Sequence, residues 1–300
     1  MACRVGFIGL GRMGYPMAGH IACSGLFESI VYNRTKAKAH AWCQRYGGTD
    51  AKTPKECAQR SDILLLCLGG DDDVLSVMQS HDGVLYGLNK GTLIIDHTTT
   101  SATMARQLAR QGQEQGWSFL DAPVSGGERG AIEGALVIMV GGDETSYARG
   151  QEVMALYGKE VVHMGDSGSG QLAKMVNQIC VGGVLQGLSE AMAFAFHANL
   201  PVARLFPLLA EGAAGSWQMK NRYETMAEEQ FDFGFKVDWM VKDLGFCLQE
   251  AQRYGCSLPS TTRLRTHYQA LQDKGYGQSD TSSLIQLFRP GRAKKAHDAR

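Results

Sequence analysis

Three glycines at a fixed spacing follow the first apolar run of the chain. Segment 5–21, VGFIGLGRMGYPMAGHI, places Gly9, Gly11 and Gly14 in a G-x-G-x-x-G pattern directly after the strand-like run 5–8. Gly9 would permit a tight turn, Gly11 would let a pyrophosphate approach the backbone, and Gly14 would let the next helix pack on the sheet. The helix N-terminus would then offer N–H groups to an anion. The pattern predicts a dinucleotide site, with a plain glycine turn as the alternative that it leaves open.

The second apolar run indicates which dinucleotide is preferred. Segment 29–35, SIVYNRT, is typical of a strand that ends at Asn33 and Arg34. An NAD-selective site usually has an acidic residue about 20 residues beyond the glycines, where it holds the ribose hydroxyls. Asn33, Arg34 and Thr35 instead offer donors and one fixed positive charge, which suit a 2′-phosphate. We therefore expect NADP, with NAD possible; an ordinary surface arginine at a strand end is the alternative.

Strand-like and helix-like segments alternate up to about residue 165. The later strand-like segments are 62–68, 92–98, 117–123, 135–142 and 159–164, and helix-like segments such as 36–46 and 101–115 lie between most of them. Strands that are apolar on both faces and alternate with helices indicate parallel pairing. The pattern predicts an α/β fold with a Rossmann-type doubly wound, mostly parallel sheet.

The sequence becomes helical after GDSGSG, residues 165–170. Helical segments are expected at 171–198, after Pro201, and at 216–226, 235–254, 261–274 and 281–288. The first of them is apolar nearly all round, so we expect it to be buried. We predict a dinucleotide-binding Rossmann domain at 1–165 and an all-helical substrate and dimerisation domain at 166–300.

The balance of charge argues against two classes of partner. The 300 residues include 30 basic and 30 acidic ones, so there is no global field to attract nucleic acid or an anionic membrane. The basic tail at 289–300 is expected to be a solvated end. The longest uncharged run near a helix, 175–189, has 15 residues, which is too short to span a bilayer.

The cysteines and the N-terminus indicate where the protein works. Eight cysteines lie mostly in apolar segments and form no C-x-x-C pair, so we expect reduced core residues and neither disulfides nor a metal site. The chain enters its first strand almost at once, which leaves no room for a signal peptide. We expect a soluble, cytoplasmic protein.

One lysine stands out in the predicted buried helix. Lys174 is the only charged residue between Asp166 and Glu190. Burying a lone ammonium is costly, so it persists when it is paired or when a reaction uses its proton. Asn177 lies three residues on and therefore on the same helical face. The alternative is that Lys174 lies near the helix start and reaches water.

Two further segments carry candidate binding groups. In DAPVSGG, residues 121–127, a strand ends and Ser125, Gly126 and Gly127 follow, whose hydroxyl and backbone N–H groups would suit a carboxylate. A simple turn explains the same residues equally well. In FKVDWMVKDL, residues 235–244, Asp238 and Lys242 form an i, i+4 pair, which surface helices make routinely.

Four segments together resemble the β-hydroxyacid dehydrogenase family over nearly the whole chain. They are GFIGLGRMGYPM, DAPVSGGERGAIEGALVIMVGG, GDSGSGQLAKMVNQI and FKVDWMVKDL, in the family's order. The resemblance is greatest to its tartronate semialdehyde reductases and 3-hydroxyisobutyrate dehydrogenases. It implies that Lys174 is catalytic, that Asn177 helps to position the substrate, and that the 125–127 loop binds its carboxylate. It further implies cofactor contacts from Thr99 and from Lys242 beside the nicotinamide.

The expected function follows from these residues and from the resemblance. The expected cofactor-binding set is Gly9, Leu10, Gly11, Met13, Gly14, Asn33, Arg34, Thr35, Leu68, Thr99 and Lys242. We expect hydride transfer between NADP(H) and a small 3-hydroxy acid or its semialdehyde, such as tartronate semialdehyde or 3-hydroxyisobutyrate. The resemblance also implies a homodimer or higher homo-oligomer. A non-catalytic NADP-binding sensor or scaffold and an imine reductase are the alternatives, and Lys174 counts against both.

Overall fold

The structure is a computed structural model that describes residues 3–289. The predicted basic tail therefore lies outside the described residues, apart from Arg289. The chain forms two compact units, one ending at Asn177 and the other beginning at Gln178.

The first unit is built on one sheet, which has nine strands within residues 3–289. The strands are β1 (Arg4–Ile8), β2 (Glu28–Tyr32), β3 (Thr49–Asp50), β4 (Ile63–Leu66), β5 (Leu93–Asp96), β6 (Ser118–Asp121), β7 (Val124–Ser125), β8 (Leu136–Gly141) and β9 (Gly158–Gly165). Their order is β3-β2-β1-β4-β5-β6-β8-β7, and β9 also pairs with β8. The first six strands are parallel, whereas β8 runs antiparallel to β6 and β7. This is the doubly wound order, with its switch point between β1 and β4, and the predicted fold class is confirmed.

Helices cover both faces of this sheet. They are α1 (Gly14–Ser24), α2 (Lys36–Tyr46), α3 (Pro54–Gln59), α4 (Asp71–Gln79), α5 (Ala102–Gln115), α6 (Gly127–Ile132) and α7 (Glu144–Met154), with a 3₁₀ turn at Val84–Tyr86. Strand side chains alternate between two cores: Leu65 packs in the same core as Met17 of α1, and Leu64 in the same core as Met104 of α5. The strands are therefore apolar on both faces because both faces are covered.

A long helix, α8 (Ser169–His197), follows the last strand, and the boundary between the units falls within it. The helix was expected to be buried all round, and that expectation is wrong. Leu185, Leu188 and Met192 are buried, but Val184 is 38% exposed and Phe194 71% exposed. An almost uniformly apolar sequence has no polar stripe to mark the side that faces outward.

By length and composition, α8 is the one described helix that could cross a membrane. It has 29 residues, so the helix is longer than the uncharged run 175–189 within it, which has 15 residues. The core helix of a soluble protein meets the same criterion, and 39% of the most apolar stretch of α8 is buried against the rest of the protein.

The second unit is helical, as predicted. After its part of α8 come α9 (Val202–Ala210), α10 (Trp217–Glu228), α11 (Val237–Arg253), α12 (Pro259–Asp273) and a 3₁₀ helix at Thr281–Leu287. Its core gathers Met192, Phe206, Met226 and Ile285 from four of these elements. The isolated bridge between Lys236 and Asp280 is the only β pairing in the described part of this unit.

The cysteines only partly match the expectation of core residues. All eight are free thiols. Cys57 and Cys247 are buried, but Cys23, Cys180 and Cys256 are exposed, so the core assignment is wrong for these three. Apolar sequence neighbours do not determine which face of a helix a cysteine occupies.

Candidate active site

The predicted glycine loop lies between β1 and α1 and has the shape that a pyrophosphate needs. Gly9 has a φ of +103°, and a side chain there would collide with the carbonyl oxygen of Cys67. A side chain at Gly14 would collide with the Gly9 carbonyl, whereas one at Gly11 would point into open space. The first turn of α1 has no side-chain cap and no acidic residue. Residues 9–14 therefore fit a bound dinucleotide, because an anion can reach both the loop and the helix N-terminus.

Two predicted cofactor residues, Asn33 and Arg34, follow β2 and differ in their contacts. Asn33 Oδ1 accepts a hydrogen bond from Leu10 N at 2.9 Å, and Asn33 Nδ2 donates to Thr35 O at 3.2 Å. Asn33 thus holds the glycine loop against β2. The side chain of Arg34 is exposed at the same strand end, where it is accessible to an anion.

The ends of β4 and β5 bring the next predicted residues together. Leu68 N donates to Thr98 Oγ1 at 2.9 Å. Thr98 and Thr100 are buried, whereas Thr99 between them is partly exposed. Of these three threonines, Thr99 is the one placed to meet a ligand at the carboxyl edge of the sheet.

Lys174 is buried at 7% exposure, and its ammonium group is hydrogen-bonded. Lys174 Nζ donates to Val124 O at 2.9 Å. One helical turn later, Asn177 Oδ1 accepts from Ser125 Oγ at 3.2 Å. Two consecutive residues of β7 are therefore held by two residues on one face of α8, and the lysine does not reach out to water.

The predicted carboxylate loop continues directly from these contacts. Gly126 and Gly127 are exposed and have φ values of +128° and +63°, which strongly favour glycine. They begin α6, which has no side-chain cap. Their backbone N–H groups and the Ser125 hydroxyl lie near Lys174, so an ammonium group and candidate anion-binding groups lie together in the first unit.

Three buried titratable groups lie at the ends of β5 and β6. Burial raises the pKa of Asp96 to about 7 and that of Asp121 to about 6. Burial lowers the pKa of His97 to about 4. Ala122 O can only accept, so His97 Nδ1 donates to it at 2.6 Å and His97 Nε2 accepts from Tyr157 Oη at 2.8 Å. The imidazole is therefore neutral, and its two hydrogen bonds stabilise the fold.

Lys242, the remaining predicted cofactor residue, lies on α11 in the second unit. Lys242 Nζ is 3.2 Å from Asp243 Oδ1 and lies 5.5 Å from the ring centroid of Trp239. Gln178 Nε2 donates to Asp243 Oδ2 at 2.7 Å. Lys242 thus has an acidic neighbour on its own helix, whereas both carboxylate oxygens of Asp238 accept from the side-chain amides of glutamine residues.

Sequence reasoning missed two polar residues next to Lys174. The carboxylate of Asp121 accepts from Gly168 N and Gln171 N, and the side chain of Gln171 bridges Thr98 O and Thr100 N. In the sequence, Asp121 only opens the segment 121–127 and has no predicted role. Its partners lie 47 and 50 residues away, so local spacing carried no signal for the contact.

Comparison with known proteins supports a single family. The family model described as the NAD binding domain of 6-phosphogluconate dehydrogenase matches residues 4–165. The model described as the NAD-binding part of NADP-dependent 3-hydroxyisobutyrate dehydrogenase matches residues 168–288. The chain belongs to the β-hydroxyacid dehydrogenase family.

Individual relatives extend over nearly the whole chain. An uncharacterized oxidoreductase of Shewanella frigidimarina is 46% identical over 97% of this chain and 99% of its own length. The 2-hydroxy-3-oxopropionate reductase of Escherichia coli is 35% identical over 95% of this chain and 97% of its own. The crystal structure of 3-hydroxyisobutyrate dehydrogenase from Salmonella typhimurium has a TM-score of 0.87 at 26% identity, with 95% and 100% of the two chains covered.

Membership of the β-hydroxyacid dehydrogenase family fixes the class of reaction. The protein is an NAD(P)-dependent oxidoreductase that acts on a CH–OH group. The glycine loop, the exposed Arg34 and the partly exposed Thr99 are the residues of the first unit that would hold the dinucleotide. Lys174 is the buried ammonium group next to the candidate carboxylate loop.

Proposed function

We propose that this β-hydroxyacid dehydrogenase interconverts a small semialdehyde that carries a carboxylate and the corresponding 3-hydroxy acid, with NADP(H) preferred. The observation that carries the proposal is the pair of contacts between α8 and β7. Lys174 Nζ to Val124 O and Asn177 Oδ1 to Ser125 Oγ place an ammonium group and an anion-binding loop side by side.

Lys174 would act on the oxygen of the reacting carbon. Bound NADPH supplies a hydride, and bound NADP⁺ accepts one. In reduction, the ammonium group of Lys174 gives a proton to the oxygen of the aldehyde; in oxidation, the neutral amine takes the proton from the alcohol. Val124 O accepts one of the three N–H groups and so fixes the direction in which Nζ points.

The loop of Ser125, Gly126 and Gly127 would bind the carboxylate of the substrate. Backbone N–H groups and a hydroxyl bind an anion through charge-assisted hydrogen bonds. The Ser125 hydroxyl donates its one hydrogen to Asn177 Oδ1, and it would turn that hydrogen to the carboxylate when the substrate binds. A fixed carboxylate determines which end of a small substrate meets Lys174, and this orientation makes proton transfer efficient.

The preference for NADP rests on the end of β2. Neither Asn33 nor Arg34 nor Thr35 is acidic, and Arg34 is exposed there. A guanidinium can pair with a 2′-phosphate in a bidentate way. As the resemblance implies, Lys242 would be a further cofactor residue.

Two other functions remain as alternatives. A non-catalytic sensor or scaffold would bind the cofactor through the same glycine loop but would not need Lys174 buried beside an anion-binding loop. An imine reductase would reduce a C=N bond and would not need the carboxylate loop. Lys174 and Ser125 together favour the hydroxy acid.

A homodimer and a cytoplasmic location belong to the same proposal. The part of α8 in the second unit exposes small and apolar residues three or four positions apart, namely Cys180, Gly183, Val184, Gly187, Ala191 and Phe194. Residues at this spacing form one stripe along a helix. A second copy of the chain would cover it, since exposed apolar stripes of this kind mark interfaces. The eight free thiols support a reducing compartment.

A substrate screen tests the proposal. Tartronate semialdehyde, 3-hydroxyisobutyrate and related 3-hydroxy acids would each be assayed with NADP(H) and NAD(H), and the matched control is the methyl ester of each acid. We expect turnover of at least one acid, preferred use of NADP(H), and loss of about tenfold or more in kcat/KM for its ester, because one hydrogen-bonded charge is removed. Equal turnover of acid and ester, or turnover of imines alone, would contradict the proposal.

A further inference from the structure

The first turn of α8 begins without a capping side chain of its own. Gly168 precedes the helix and has no side chain to offer. The carboxylate of Asp121, at the end of β6, replaces it: Oδ1 accepts from Gly168 N at 2.7 Å, and Oδ2 accepts from Gln171 N at 2.9 Å. A carboxylate in this position satisfies two of the N–H groups at a helix start and interacts favourably with the helix dipole.

Two glycines allow β8 and α8 to pack closely against the Asp121 carboxylate. The side chain is fully buried. A Cβ added at Gly141 would lie 2.6 Å from Asp121 Oδ1, and one added at Gly170 would lie 2.9 Å from Oδ2. Glycine at both positions therefore lets β8 and α8 approach the carboxylate closely, and any side chain there would force the helix away.

A second anchor holds the same turn from the other side. The side chain of Gln171 is buried, its amide oxygen accepts from Thr100 N at 3.0 Å, and its amide nitrogen donates to Thr98 O at 2.8 Å. Both amide atoms are thus used on the backbone that flanks Thr99. This ties the turn to the loop after β5, whereas Asp121 ties it to the end of β6.

Lys174 lies one turn beyond both anchors. It shares a helical face with Gln171, three residues earlier, and its Nζ must meet Val124 O and the reacting oxygen. A helix moves as a rigid unit over one turn, so a shift of its first turn displaces Nζ by a similar distance. An error of about 1 Å in the placement of a reacting group costs on the order of 10²-fold in rate.

We propose that Asp121 and Gln171 are positioning residues, which hold the first turn of α8 so that Lys174 meets the reacting oxygen of the substrate. The inference rests on the proposed function of Lys174. Neither residue is assigned contact with the substrate or cofactor. Their effect on the reaction passes through the position of Lys174.

Asp121→Asn is the first test. The amide keeps the size of the side chain but removes its charge and turns an NH₂ group toward a backbone N–H. We expect the single-turnover rate at saturating substrate and NADPH to fall by about 10²-fold, while the NADPH dissociation constant changes by less than about threefold. Hydrogen exchange of the Gly168 and Gln171 amides should become faster, which reports the anchor without any turnover.

Asp143→Asn is the matched control. Asp143 caps α7 in the same unit by accepting from Ser146 N at 2.9 Å, and α7 carries none of the candidate site residues. The same chemical change there should lower the melting temperature and leave the single-turnover rate within about twofold of wild type.

The outcomes separate the inference from the proposed function. Lys174→Ala is measured in the same assay. If it abolishes turnover while Asp121→Asn stays within about threefold of wild type, the positioning role is wrong and the function of Lys174 stands. If Lys174→Ala remains active, the proposed function itself is wrong.

Gln171→Glu keeps the test decisive if Asp121→Asn does not fold. The carboxylate can still accept from Thr100 N but cannot donate to Thr98 O. A fall of about tenfold or more in the single-turnover rate, with a melting temperature close to that of Asp143→Asn, supports positioning. An unchanged rate overturns it.

Discussion

Asn33 accepts a hydrogen bond from Leu10 N, whereas its neighbour Arg34 is exposed. The sequence placed both residues in the cofactor site, because strand end and spacing are visible in the pattern. It did not distinguish their roles, since the partner of Asn33 lies 23 residues away. At this scale, sequence predicts which residues lie at the carboxyl edge of the sheet better than it predicts what each one touches.

Arg34→Asp tests the role of the exposed guanidinium. The change removes the partner of a 2′-phosphate and adds a repulsive charge. We expect the ratio of kcat/KM for NADPH over NADH to shift toward NADH by about 1.5–3 kcal/mol, the worth of a charge-assisted hydrogen bond.

Arg110→Asp serves as the control for that shift. Arg110 is exposed on α5 of the same unit and is not one of the candidate cofactor residues. It makes the same change in net charge, so the cofactor ratio should stay near that of wild type. Equal use of both cofactors by the unmutated enzyme would contradict the account of Arg34.

Elements differ in how well their sequences predict them. The longer strands of the parallel sheet and the limits of α8 were predicted within a few residues, because apolar runs and helical periodicity are local signals. The strands β3 and β7 were missed, since Thr49–Asp50 and Val124–Ser125 have two residues each and are defined by their pairing with β2 and β8. Lys174 and Asn177 both contact β7. An element that the local sequence pattern does not predict therefore contacts two predicted site residues.

A buried histidine that follows β5, His97, makes the stability of the protein depend on pH. His97 links β5 to Ala122 and Tyr157 as a neutral ring, and burial lowers its pKa from 6.5 to about 4. Between those values, the unfolded chain binds a proton that the folded chain does not. This contribution therefore destabilises the protein as the pH falls from about 6.5 to 4, and it is absent above that window.

His97→Gln measures this contribution, because glutamine does not titrate. The free energy of unfolding of wild type should fall by about 2 kcal/mol more than that of the variant between pH 8 and pH 5. Asp96 and Asp121, whose pKa values are raised, act in the opposite direction in both proteins and cancel in the difference. Parallel pH profiles for the two proteins would show that His97 does not stay neutral.

The whole molecule combines two compact units with one long helix that contains their boundary. The sequence predicted an α/β unit followed by a helical one, since the change from alternating strands to continuous helical periodicity is visible over long segments. The predicted domain boundary near residue 165 stays a prediction, because the compact units divide within α8. The exposure of one side of α8 could not be predicted, since it depends on what covers the helix.

Lys174→Ala tests the central claim, that a buried lysine on α8 supplies the proton for hydride transfer. The measurement is single-turnover reduction of a semialdehyde substrate across roughly pH 6 to 10, with NADPH affinity and folding determined separately. We expect NADPH affinity near that of wild type, since the glycine loop and Arg34 provide it. The rate should fall about 10²–10⁴-fold and lose the pH dependence that an amine imposes, and Lys174→Arg should not restore it, because a guanidinium keeps its proton. A Lys174→Ala protein that reduces the substrate within a few-fold of wild type would contradict the account.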